Sequence, residues 1–220
     1  MQTLILLQSG LLIQPDNKGL KRTKKWSVSE KMKVVGTVGL NGSGKDTVIS
    51  IISKELGIPM ITIGDIARKI AATKSIEPTR ENLTKISLDY KRKYGTDYFP
   101  KEVISTIEKN NWDFVGVAGI RSKVDVDTFR KRFGNDFILI FVDVSDQAVR
   151  FERIAKRGEP RDPKTFEQFL KQDSEEEKHF KLNAAVKEAN YVIKNDGDTD
   201  LLVNETRKLI TQITKCSSQR

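Results

Sequence analysis

Histidine and cysteine are almost missing from this chain of 220 residues, which has one of each, His179 and Cys216. A single cysteine excludes an intrachain disulfide framework and a cysteine-built zinc site. A lone histidine sets aside Ser–His–Asp catalysis and histidine-built metal centres. The N-terminal apolar stretches, Leu4–Leu7 and Leu11–Ile13, are short and are broken by Gln8, Ser9 and Gly10. They are too short to span a bilayer. They also lack a positive leader and a small-residue cleavage site, so no signal peptide is expected and a cytoplasmic protein is. Ribonucleoprotein motifs, zinc fingers and helix-turn-helix patterns are absent as well. The chemistry is left to Lys, Arg, Asp, Glu and hydroxyl groups. That set suits phosphoryl transfer, which needs positioning and charge neutralisation more than a strong base.

Charge is abundant. The formal net charge is +9. Residues 1–31 contribute Lys18, Lys21, Arg22, Lys24, Lys25 and Lys31 against Asp16 and Glu30, and they do not read like the rest of the chain. They are expected to be an extension, flexible or arising from an upstream start codon, ahead of a domain over 32–220. A nucleic-acid surface would explain the basic excess, and so would an arginine-lined polyphosphate site.

The most informative stretch is KVVGTVGLNGSGKDTVISII, Lys33 to Ile52. An apolar strand, Lys33–Val38, turns through Gly39, Asn41, Gly42, Ser43 and Gly44. Lys45, Asp46 and Thr47 then open an apolar helix. This is G-x-x-x-x-G-K between a strand and a helix, the required context for a phosphate-binding loop. Glycines let successive N–H groups turn towards an anion, and the helix dipole reinforces them. Lys45 adds an ammonium for the β- and γ-phosphates. Asp46 stands where a Ser or Thr is usual, and the hydroxyl follows at Thr47. Asp46 either faces solvent or helps to hold Mg²⁺ through water.

From Met32 onwards strands alternate with helices, the pattern of an α/β fold with a five-stranded parallel sheet covered on both faces. Further strands are expected at Pro59–Ile63, Asp113–Ala118, Asn135–Val142 and Tyr191–Ile193. Helices are expected from Asp65 to Ala72, from a Thr79 cap to Tyr94, from Pro100, over Val124–Phe133, after Ser145 or Asp146, over Pro163–Lys187 and from Asp200 to Lys215.

Three later constellations carry charge suited to phosphate. Asp65 and Arg68 lie i, i+3 at a helix start, after Thr62 and Gly64. An arginine fork can hold a phosphate bidentately. Gly119-Ile120-Arg121 closes the third strand, and ligands of open α/β sheets bind at strand C-termini. Arg153 and Arg157 lie i, i+4 before a Gly158–Pro160 loop, with Arg161 behind them. Lys91, Arg92, Lys93 and the run Glu175–Glu177 read as solvated charge, and His179 as a structural or surface residue. Arg80 and Lys93 are weaker acceptor candidates.

Together these segments resemble the P-loop kinase superfamily, in particular its nucleoside monophosphate kinase and dephospho-CoA kinase branch. The strand end GIRS, the segment FERIAKRGEPRDPKT and the ending YVIKNDG narrow the resemblance to an adenylate-kinase-related, dephospho-CoA-kinase-like family known mainly from archaea. The resemblance implies a three-layer P-loop kinase fold. Its acceptor-binding helices would occupy about 64–110 and a short helical lid about 150–165. It implies ATP, held by Gly39, Asn41, Gly42, Ser43, Gly44, Lys45, Asp46 and Thr47, as donor. Thr62, Gly64, Asp65, Arg68 and Arg121 would bind the acceptor. Lys45, Arg121, Arg153 and Arg157 would act on the transferred group, and Asn195 and Gly197 would approach the adenine.

The family's strand-end aspartate, which helps to position Mg²⁺, is Ala118 here. Either metal positioning then falls to Asp46, Thr47 or Asp143, or to the nucleotide and water alone, or catalysis is impaired. The expected activity is transfer of the γ-phosphoryl of ATP to an AMP-like monophosphate. Dephospho-CoA kinase is one alternative, with Asp65 as its base. A nucleotide-dependent regulatory or nucleic-acid-associated protein is another.

Overall fold

The computed structural model describes residues 32–159 and 162–216. The expectations for residues 1–31 and for Arg161 lie outside them.

The first strand, β1 (Lys33–Val38), enters the phosphate-binding loop and α1 (Lys45–Leu56). The chain continues through β2 (Met60–Thr62), α2 (Ile63–Thr73), α3 (Arg80–Tyr94), α4 (Tyr98–Lys109) and β3 (Phe114–Ile120). Then come α5 (Lys123–Phe133), a single 3-10 turn at Gly134–Asp136, β4 (Phe137–Asp143) and α6 (Gln147–Arg157). The last elements are α7 (Phe166–Phe180), α8 (Leu182–Val186), β5 (Tyr191–Lys194) and α9 (Thr199–Cys216).

The strands form one five-stranded sheet in the order β2-β3-β1-β4-β5. Every pairing is parallel, with Val34 opposite both Val115 and Phe137, Thr62 opposite Ala118, and Asp143 opposite Lys194. Both faces are covered, as parallel sheets require. Alternation along the strands sends Val34, Val117 and Leu139 to one face, where Phe129 and Val103 of α5 and α4 pack. Val35, Ala118 and Ile140 go to the other, against Ile49 and Ile52 of α1 and Leu209 of α9. The result is a three-layer α/β fold. Ala118 is fully buried in that second layer, so the family's aspartate position contributes a methyl group to an apolar core.

Local chemistry sets the helix ends. The Thr79 hydroxyl accepts from the Asn82 amide and starts α3. Ser122 and Asp125 form a reciprocal capping box on α5. Asp146 caps α6 at the Ala148 amide. Gly57 and Gly158, both left-handed, end α1 and α6.

Two expectations change. The helix expected over Pro163–Lys187 breaks at Lys181, which is left-handed at φ 49°. The break lets Leu182 and Ala185 of α8 turn into the α5-side core. Glu176 is no solvated charge: it is buried on the inner face of α7.

Candidate functional site: a phosphate-binding loop facing an arginine cluster

The loop between β1 and α1 is shaped by its neighbours. Gly42 and Gly44 have φ of 78° and 89°. A Cβ at Gly42 would fall 2.6 Å from the Arg150 carbonyl oxygen, and one at Gly44 2.5 Å from Asn195 Nδ2. Only glycine fits either position, on backbone conformation and on space.

The loop is braced from two sides. Asn195 Nδ2 donates to the Ser43 carbonyl at 2.8 Å, and Arg150 Nη1 donates to the Asn41 carbonyl at 3.0 Å. Arg150 is almost wholly buried and makes a two-pronged ion pair with Asp173 of α7. Behind the loop, the Thr37 hydroxyl donates to the Lys45 carbonyl at 3.2 Å. The Lys45 ammonium folds back to the Leu40 carbonyl at 3.3 Å. Burial pushes its pKa down, and Arg121 and Arg80 add to that, while Asp46 and Glu176 oppose it. An incoming polyphosphate would relieve that penalty.

Across from the loop, Arg68 donates from Nε to Asp65 Oδ1 at 3.0 Å, one helical turn away as the spacing implied. Gly64 leaves room for the guanidinium, since a Cβ there would meet Arg68 Nη1 at 3.3 Å. Arg121 emerges from the end of β3, where its own amide donates to Asp125 Oδ2 at 3.1 Å. Its Nη1 lies 3.0 Å from Glu176 Oε1, and Arg80 Nη2 lies 2.6 Å from Glu176 Oε2. Burial alone would raise the Glu176 pKa. Arg121, Arg80 and Lys45 outweigh it and hold the carboxyl below its ordinary value. Phe180, one turn further along α7, lies under both Arg121 and the Lys91 ammonium. Lys91 is therefore partly covered, not simply solvated.

Two small voids meet here. One, of about 80 Å³, is lined by Arg68, Arg80, Arg121, Asp125 and Phe180 among others. The other, of about 30 Å³, is bordered by Asn41, Lys45, Asp46, Thr62, Arg68, Arg80, Arg121 and Arg157. Five cationic side chains thus converge from α1, α2, α3, the end of β3 and the end of α6.

The two arginines of α6 part company. Arg157 faces the second void and is held by Asp162, whose hydrogen bond raises its pKa further. Arg153 turns the other way. It donates to the carbonyls of Asn195 at 2.9 Å and Gly197 at 2.8 Å, fixing the turn after β5. Thr47 is exposed on α1, and Asp143 at the end of β4 accepts at its carbonyl from the Asn195 amide. Neither borders the two voids. His179 is exposed.

Sequence reasoning missed Arg150, Asp173 and Glu176. A signal was present: Phe169, Asp173, Glu176 and Phe180 fall on one helical stripe, so two carboxylates hold inward positions.

Sheet order, loop and flanking layers together define a P-loop kinase fold. Solved structures share it, among them the following two. The protein TT1252 from Thermus thermophilus superposes with a TM-score of 0.59 at 14% identity, over 83% of this chain and 97% of that one. A shikimate kinase from Bacteroides thetaiotaomicron superposes with a TM-score of 0.51 at 16% identity, over 83% and 98%. The AAA domain family matches residues 38–169. The chain belongs to the UPF0200 family. It is 34% identical over 187 residues to a UPF0200/UPF0201 protein of Archaeoglobus fulgidus, covering 84% of this chain and 57% of that protein's length. It is 33% identical over 181 residues to a UPF0200 protein of Hyperthermus butylicus, covering 82% and 95%. Among the described residues, no helix is long and apolar enough to cross a membrane.

Proposed function

We propose that this protein transfers the γ-phosphoryl group of ATP to a nucleoside-monophosphate-like acceptor. One observation carries the reading: Lys45 of the phosphate-binding loop and Arg68, Arg80, Arg121 and Arg157 border the same void. Simple hydrolysis needs one anion site. Guanidinium groups ranged opposite the loop supply a second.

In this reading the amides of Gly42 to Thr47 and the Lys45 ammonium hold the donor phosphates. Arg68, Arg80 and Arg121, from the α2–α4 side, hold the acceptor phosphate. Thr62 and Gly64, beside them, flank its nucleoside. An acceptor phosphate oxygen attacks the γ-phosphorus, and ADP leaves with the electron pair of the broken bridging bond. Arg157, at the end of α6 within the lid segment, neutralises charge on the group in transit. The acceptor is already anionic, so no base is required. A ribose-hydroxyl acceptor would need one, and the available carboxylate, Asp65, is committed to Arg68.

Among the described residues no group of three or more His, Cys, Asp or Glu forms a metal cage. The donor set would suit Mg²⁺ as the nucleotide's ion, with Asp46, which borders the void beside Lys45, as the carboxylate that would help to hold it. Mg²⁺ held that way typically takes one or two carboxylates plus phosphate oxygens. When bound it shields the β- and γ-phosphate charge.

An acceptor screen with Mg-ATP, spanning nucleoside monophosphates and dephospho-coenzyme A, tests the reading. Transfer to a monophosphate is expected. Tight ATP binding with no transfer to any acceptor would overturn it in favour of a nucleotide-responsive regulator.

A further inference from the structure

Arg80 opens α3 and Arg121 follows β3, yet both close on one carboxylate, Glu176, 96 residues beyond Arg80. Each arginine takes its own oxygen, at 2.6 Å and 3.0 Å. The Glu176 side chain is 3% exposed, against 20% for Arg80 and 26% for Arg121. The carboxylate is thus held inside while the guanidinium groups reach towards the void. Donors arranged as a two-arginine fork around oxygens are also the donors a phosphate needs.

The adjoining void measures about 80 Å³. Ligand pockets run to about 300 Å³ or more. The side chains that close it include Phe180, on the same helix as Glu176. That helix ends at Lys181, whose left-handed backbone is a conformation that non-glycine residues adopt at a cost.

We propose that Glu176 is a resident anion in the acceptor-phosphate site, displaced from the Arg80–Arg121 fork by the phosphate of a phosphomonoester. The inference rests on the transferase reading and adds a selection rule to it. A phosphomonoester brings a charge of about −1.5 to −2 and three oxygens, where the carboxylate offers one charge and two oxygens. Exchange favours the phosphate, and Glu176 regains water as α7 gives way. A neutral hydroxyl acceptor has nothing to offer the fork and leaves Glu176 in place. Were the carboxylate to stay when the phosphate arrived, two anions would share one buried site, which is costly.

Binding of inorganic phosphate to the full chain, without ATP, tests this by calorimetry on wild type and Glu176→Gln. The glutamine variant is expected to bind phosphate at least tenfold more tightly, because nothing charged has to leave. Equal or weaker binding overturns the proposal. Glu176→Ala gives a second readout that tolerates impaired folding. Added phosphate is expected to raise its melting temperature more than that of wild type, and an equal or smaller rise also overturns the proposal. Neither measurement needs turnover, so failure here is distinguishable from failure of the acceptor screen.

Discussion

Asp173 and Glu176 stand three residues apart on α7, and the arginines they hold reach different parts of the candidate site. Asp173 grips Arg150, which reaches the Asn41 carbonyl of the loop. Glu176 grips Arg80 and Arg121 on the opposite side. One helix therefore touches both halves of the candidate site.

Asp173→Ala should be strongly destabilising, because it strands a guanidinium that is almost wholly buried. Breaking a buried pair costs about 3–5 kcal/mol. Urea unfolding measures it, and a loss below about 1 kcal/mol would show that the pair carries little. The double variant Arg150→Met/Asp173→Leu should regain much of that stability. It should bind ATP more weakly than wild type, because Arg150→Met takes the donor from the Asn41 carbonyl.

The Glu176 pKa is lowered in the fold. Between its folded and unfolded values the unfolded chain binds more protons, so stability rises with pH across that interval. The contribution is complete above the unfolded value near 4.5 and is lost as pH falls through the folded one. The stability margin of wild type over Glu176→Gln should be flat from about pH 6 to 8 and shrink on acidification below about 4.5. Urea midpoints across that range check it. A margin that widens in acid would contradict the assignment of charge.

Arg121→Lys keeps the charge but loses the fork. A hydrogen bond to a charged group contributes about 1.5–3 kcal/mol, so the acceptor KM should rise roughly tenfold to a hundredfold. The KM for ATP should hardly change. Steady-state kinetics with each substrate varied in turn separates the two, and an equal rise in both would place Arg121 on the donor side instead.

The sheet, the loop and most helix limits were legible because they depend on neighbours in sequence. The strand Lys33–Val38, the Thr79 cap and the Asp65–Arg68 pair all follow from spacing within one element. The helix break at Lys181 was not legible, since burial of Leu182 and Ala185 against α5 decides it. Glu176 was hidden for the same reason. Its flanking glutamates read as surface charge, and only the path of α7 across the sheet end brings it to arginines far away in the chain.

Arg153 and Arg157 make the sharpest contrast, because spacing alone treats them as equals on one face of α6. Arg157 borders the void beside Lys45 and Asp46, where the proposed transfer would take place. Arg157→Ala should lower kcat by about 10²-fold or more, the usual cost of removing one preorganised transition-state donor, with ATP binding nearly unchanged. Arg153 is spent on the carbonyls of Asn195 and Gly197, and Asn195 in turn holds Ser43 of the loop. Arg153→Ala should therefore weaken ATP binding by loosening that turn. The loss of two hydrogen bonds at about 1 kcal/mol each corresponds to roughly thirtyfold. Its kcat at saturating ATP should stay within a few-fold of wild type. Nucleotide titration paired with single-turnover kinetics distinguishes the two, and a pure kcat loss in Arg153→Ala would return that residue to the reacting centre.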